Sequence, residues 1–256
     1  MLGFVHLEPW ENPGFVMQFR CMIQRRYGIE VSERTLFGRP AVFVRQRRMC
    51  QRESARALLE RGVDKVAFAG AEAGDSRMPS LREMDSVYLH TVLAGDVGAY
   101  VAERSGTTAA CFFRTIGQIE EQAILRLATA FRYLMISIQR DSEAICRSLR
   151  RRYGLPVVEG PTPSQVRNAD FALLFHPPER DMMLSERCLT FRPGEDAGHP
   201  TPGGMPITGL SLDVPPDVAG ELPAGFQAEP ILSEAAFRGW IDPNQIKING
   251  ISIDKA

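Results

Sequence analysis

The chain has little of what usually betrays a function. Lysine is nearly absent: Lys65, Lys247 and Lys255 are the only three among 30 basic residues. With 31 acidic residues against them the formal net charge is -1, which speaks against a nucleic-acid-binding module working through a broadly basic surface. The arginine bias reflects a GC-rich genome as easily as a function. Cysteine is sparse and odd in number; Cys21, Cys50, Cys111, Cys146 and Cys188 are far apart and form no C-x-x-C pair. That pattern disfavours a disulfide framework or a zinc site and favours reduced thiols in a cytosolic protein. The four histidines, His6, His90, His176 and His199, have no ligand spacing, so no metal site is expected. No apolar run approaches the length of a membrane span, and no basic stretch followed by an apolar one opens the chain; a cytoplasmic location without membrane contact is expected. The G-K-[ST] of a phosphate-binding loop is missing as well.

What remains is the composition of an ordinary globular protein, 44% hydrophobic and 24% charged, long enough for one large domain or two smaller ones. The clearest pattern is residues 132–178. Tyr133–Ile138 is a short apolar run of the kind buried in parallel sheets. Asp141, Ser142 and Glu143 supply helix-start chemistry. Ile145 and Leu149 share a face, Arg150, Arg151 and Arg152 suit the last turn, and Gly154 is a stop. Pro156–Val158 resumes as a strand, a polar connection passes Ser164 and Asn168, and Phe171–Phe175 is a third apolar run.

This β-α-β-α-β order predicts a Rossmann-like half. After its first run, however, the chain reads Ser137-Ile138-Gln139-Arg140-Asp141-Ser142. No glycine there lets a backbone approach a pyrophosphate, and the acids repel one.

Upstream, Leu2–Leu7, Pro40–Val44, Val66–Ala69 and Ala109–Phe113 read as strands. Helices are expected over 15–27, 51–61, about 81–104, and 118–131. Gly95 and Gly98 weaken the third of these unless they allow a close helix neighbour. Arg25-Arg26-Tyr27-Gly28 matches Arg151-Arg152-Tyr153-Gly154, a trace of duplication or two uses of the same helix-ending chemistry. Downstream, proline and glycine crowd 193–230, Ile207–Val214 reads as a strand and Leu232–Trp240 as a short helix. Alternation around Asn249-Gly250 predicts a terminal hairpin.

The expected fold is therefore α/β: a Rossmann-like, mainly parallel sheet with flanking helices. Two similar lobes are one arrangement of it, and an irregular C-terminal segment ends in a β-hairpin. Expected boundaries are an N-terminal lobe over 1–116, the Rossmann-like half over 117–192 and the Pro/Gly-rich segment over 193–256, with helix 118–131 as a candidate link between lobes.

Ligands of open α/β sheets bind outside the carboxyl ends of the strands. The candidates there are Gly70, Gly74, Ser76 and Arg77 in a loop before a helix, Arg114 and Thr115, Gln139 and Arg140, and His176. Arg45, Arg47 and Arg48 also stand ahead of a helix. Arginines and glycine-flanked backbone suit an anion more than a nucleophile and base. No catalytic residue, reaction or cofactor is assigned. The expected role is binding a small anionic metabolite or nucleotide. The alternatives are a non-catalytic scaffold or regulatory protein on a degenerate Rossmann-like fold, and an NAD(P)-dependent oxidoreductase-like enzyme. Homo-oligomerisation is left open.

Overall fold

The computed structural model describes residues 1–7, 29–46, 50–70, 78, 80–104, 106–139, 142–155, 157–179, 181–194 and 203–253. The helix expected over 15–27, and with it the duplicated motif, lies outside these residues, as do Arg47, Arg48, Gly74, Ser76, Arg77, Arg140, His199 and Cys21. The chain forms two compact units, Met1–Ser86 with Pro215–Asp242, and Val87–Val214 with Pro243–Ala256.

The first unit holds strands β1 (Leu2–Leu7), β2 (Ile29–Leu36), β3 (Arg39–Gln46), β4 (Lys65–Ala69) and β5 (Arg82–Glu83) in the order β2-β3-β1-β4-β5. β1 lies parallel to β3 and β4, and β2 runs antiparallel to β3 at the edge. Alternation sorts the side chains onto two faces. Val5, Leu7, Val42, Val44 and Val66 face helix α1 (Gln51–Leu59), which contributes Leu58. Leu2, Phe4, Ala41 and Ala67 face the other way, packing with Ile231, Phe226 and Trp240 of the returning segment.

The second unit contains α2 (Val87–Ala102), β6 (Thr108–Phe113), α3 (Gln118–Ala130), β7 (Tyr133–Ile138), α4 (Ser142–Tyr153), β8 (Val157–Glu159), the short α5 (Pro163–Val166), β9 (Phe171–Leu174), β10 (Leu189–Phe191) and β11 (Met205–Asp213). The chain then supplies α6 (Pro216–Glu221) and α7 (Ala228–Phe237) to the first unit before β12 (Lys247–Ile253) closes the second. The sheet order is β12-β11-β10-β9-β6-β7-β8, parallel throughout from β8 to β11. Counted from β6, that order is the doubly wound Rossmann arrangement, with its reversal between β6 and β9. α2, α3 and α4 cover one face through Val97, Leu127 and Leu149. Val166 of α5 and Met182, Leu184 and Cys188 cover the other.

Four expectations need correction. The helix expected from 81 begins at Val87; Leu81 and Met84 belong to the first unit, where the Met84 N–H bonds the Val66 carbonyl at 2.9 Å. The chain divides at Ser86/Val87, not at 116, and α3 lies inside the second unit instead of linking two lobes. Asn249-Gly250 sits within β12, not at a turn; the antiparallel partner is β11, with Leu210 opposite Ile251. The chain does end in an antiparallel pair, but α6 and α7 fill its connection. Finally, the C-terminal segment expected to be irregular holds helix within 193–230, as α6 and the start of α7.

Candidate functional site

In an open α/β sheet the crevice opens where strand order reverses, because successive crossovers leave the strand ends in opposite directions there. In the second unit that place lies between β6 and β9. β6 is apolar and buried from Ala109 to Phe113, as a central parallel strand must be. At its amino end the junction is closed: the Asp170 carboxylate accepts the Thr107 and Thr108 N–H groups at 2.8 and 3.0 Å. At its carboxyl end the polarity changes at once, to Arg114-Thr115-Ile116-Gly117, with Arg114 and Thr115 exposed.

The neighbouring strand ends are tied to this turn. The Gln139 N–H donates to the Phe113 carbonyl at 3.2 Å, and the His176 N–H donates to the Phe112 carbonyl at 3.0 Å. Arg114 and Thr115 thus rise between Gln139, at the end of β7, and His176, at the end of β9. The side chain of Arg114 has no ion pair or hydrogen bond among the described residues. Phe113 and Phe175 stack beneath, with centroids 5.2 Å apart.

The position of the first Rossmann strand matters for cofactor chemistry. Sequence alone placed the fingerprint turn after Ile138. With β6 first in the order, the turn to test is Arg114–Gln118, which contains a single glycine. Its N–H is already taken: Gly117 N–H donates to Glu120 Oε2 at 3.0 Å, closing the first turn of α3 with the protein's own carboxylate. Glu121 adds a second acid in that turn and accepts the Tyr153 hydroxyl at 3.2 Å. Where a pyrophosphate would take the amino end of the helix, this chain supplies its own anion.

The remaining candidates go elsewhere. Gly70 ends β4 in the first unit at φ 111°, where a Cβ would overlap the Leu7 carbonyl oxygen, so only glycine fits. Arg45 faces Glu30 across β2 and β3, Nη1 to Oε2 3.6 Å, in an exposed ion pair. His6 is on β1, and His90 of α2 lies 5.8 Å from the Phe191 ring. A cavity of 530 Å³ lies along α1, lined by Gln51, Arg52, Ala55 and Ser80 among others; of the candidate site residues that are described, Gly70, Arg114, Thr115, Gln139 and His176, none lines it. Asp170 and Glu120 were not singled out from the sequence. The capping role of Glu120 had a signal, an acid three residues after a glycine at a helix start; Asp170 had none.

Cys50, Cys111, Cys146 and Cys188 are buried and none of them is in a disulfide. Burial pushes the Cys111 thiol far above its ordinary range. Burial, with a smaller contribution from Glu159, pushes Cys146 up to about 11; burial, with Asp170, pushes Cys188 up to about 12. Thiols held in that state are not nucleophiles near neutral pH. Among the described residues no three His, Cys, Asp or Glu side chains converge as metal ligands, and no helix is long and apolar enough to cross a membrane.

No family model matches the chain, and no curated protein matches it. Among solved structures it is similar to NAD-dependent formate dehydrogenase from Staphylococcus aureus in complex with NAD, at 10% identity and a TM-score of 0.34, covering 74% of this chain and 72% of that one. Shikimate dehydrogenase from Aquifex aeolicus gives 10% identity and a TM-score of 0.29 over 75% and 77%. Quinate dehydrogenase from Corynebacterium glutamicum in complex with NAD gives 10% and 0.32 over 75% and 79%. At such scores the likenesses carry no argument about function; the Rossmann-like fold rests on this chain's own strand order.

Proposed function

We propose that the protein binds a small anionic metabolite or nucleotide at the carboxyl end of the sheet in its second unit, between β6 and β9. The observation that carries this is an exposed Arg114 guanidinium without a partner among the described residues, beside Thr115 at the reversal of strand order, flanked by Gln139 and His176. A guanidinium matches carboxylate and phosphate oxygens with paired donors. A threonine hydroxyl and a glutamine amide add neutral donors suited to the same oxygens.

Glu120 narrows the ligand. It occupies the Gly117 N–H and puts negative charge at the amino end of α3, so a dinucleotide lying over that helix start is disfavoured. The same observation gives the scaffold reading its support, since a self-capped turn needs no cofactor to complete it.

A thermal-shift screen of the full chain against inorganic phosphate, citrate, AMP and NAD tests the proposal. A bound ligand at a hundred times its dissociation constant adds about 2.7 kcal/mol, or a rise of about 5–10 °C at this chain length. The expected result is stabilisation by a small anion, lost in Arg114→Ala. A flat screen with folded protein would transfer the weight to the scaffold reading; a response to NAD alone would favour the dehydrogenase-like one.

A further inference from the structure

A second polar feature lies at the carboxyl end of the other sheet. Gln46 is the last residue of β3 and is 1% exposed, yet among the described residues neither its Oε1 nor its Nε2 has a hydrogen-bond partner. Ser54, on α1, is 0% exposed and its Oγ has none either. Burying an amide or hydroxyl without a partner destabilises a fold, and folded proteins leave few such groups unexplained.

The two side chains share one layer. Strand alternation puts Gln46 on the face of Val42 and Val44, which is the face α1 covers. Its neighbours in register are Leu7 on β1 and Ile29 on β2, both apolar. α1 runs back over the sheet: a Cβ on Gly3, near the start of β1, would lie 3.0 Å from Leu58 Cδ2. Ser54 is therefore one turn, about 6 Å, closer to the strand ends than Leu58. α1 itself starts there, at Gln51. An amide and a hydroxyl are thus buried in the layer between α1 and the carboxyl half of β3 in an open α/β sheet, where ligands of this architecture bind at the strand ends.

We infer that the carboxyl end of β3 beneath α1 is a binding site for an uncharged group that presents a hydrogen-bond donor and acceptor side by side, such as a nucleobase edge or a primary carboxamide. The glutamine amide offers the complementary pair, as it does when it reads adenine, and the serine hydroxyl can serve either partner. The apolar neighbours Leu7 and Ile29 exclude a charged group from the same place. This site is separate in chemistry from the anion site of the second unit and stands or falls without it.

Calorimetric titration of the full chain with adenine, uracil and acetamide tests the inference, with Gln46→Leu, Gln46→Met and Ser54→Ala as variants. The expected result is saturable binding of at least one probe, weakened more than tenfold by either substitution at 46 and several-fold by Ser54→Ala, and unaffected by Arg114→Ala. Both substitutions at 46 remove an unsatisfied amide from apolar surroundings, so they should fold at least as stably as the parent. Two results would overturn the inference. One is absence of binding by all three probes to folded wild-type protein. The other is equal binding by wild type and the position-46 variants, which would leave Gln46 as a buried polar mismatch only.

Discussion

A methyl group at position 98 has no room. A Cβ there would overlap Leu127 Cδ2 and lie 2.9 Å from Phe171 Cε1, and one at Gly95 would lie 2.8 Å from Arg126 Cβ. The glycines that weaken α2 as an isolated helix let it approach α3 and β9, and packing outweighs propensity. Gly98→Ala should therefore destabilise the protein by about 1–3 kcal/mol, the opposite of the gain expected for an exposed helical glycine; the shift of the urea midpoint at constant slope measures it. Glu120 is the second decisive residue. Glu120→Ala should cost about 1 kcal/mol by removing the cap. It should also free the Gly117 N–H, so inorganic phosphate should stabilise the variant more than the parent in a thermal-shift titration. A phosphate response equal in both would mean that Glu120 does not guard the turn.

Among the elements, α7 is held by charge as well as by Ile231. The buried Glu234 bonds Lys65 Nζ at 2.7 Å and Arg238 Nε at 2.7 Å. Arg238 also reaches Asp64, whose other oxygen takes the N-terminal ammonium at 3.0 Å. Removing Glu234 leaves two half-buried cations each with one carboxylate fewer, Lys65 keeping Asp85 and Arg238 keeping Asp64, so Glu234→Ala should cost about 1–3 kcal/mol. The network also sets a pH range. Burial alone would push the Asp64 carboxyl up, but the N-terminal ammonium and Arg238 outweigh it and hold it below its ordinary 3.8. Its contribution is present above that value and is lost as pH falls through the lowered one. Burial pulls Lys65 down, but Glu234 and Asp85 outweigh it and hold it above its ordinary 10.5. That contribution is complete below 10.5 and is lost as pH rises through the raised value. Chemical denaturation across pH should show a plateau between these limits, with Asp64→Asn flattening the acid limb and leaving the alkaline limb unchanged.

Across the whole molecule, the parts of the fold legible in sequence were those written in local pattern. Ala109–Phe113, Leu134–Ile136 and Phe171–Leu174 are apolar runs buried on both faces, and Gly154 at φ 65° ends α4 where the arginine run predicted. What escaped was set by contacts distant in sequence. Leu81 and Met84 continue the helical spacing of α2, yet the pairing of β5 with β4 claims their segment for the other unit. Asn249-Gly250 has turn chemistry, but cross-strand pairing with β11 holds it extended. Which strand comes first in the Rossmann order also depends on sheet position, so the dinucleotide turn was sought one strand too late. Arg114, Gln139 and His176 each follow an apolar run, with Thr115 next to Arg114, and that pattern placed these four at strand ends, where the strands do finish. Gly70 belongs to the other unit, and the unpartnered Gln46 could not be read at all, since a glutamine ending a strand is ordinarily solvated.

The central claim is that an anion sits at the strand-order reversal of the second unit. The most direct test is a ¹⁵N-labelled titration of the full chain with inorganic phosphate, following the backbone N–H resonances of Thr115, Gly117, Gln139 and His176. If the account is right, these four shift together along one saturation curve, and Arg114→Ala removes the response. If they stay fixed while resonances of the first unit move, or if the wild type and Arg114→Ala respond alike, the account is contradicted.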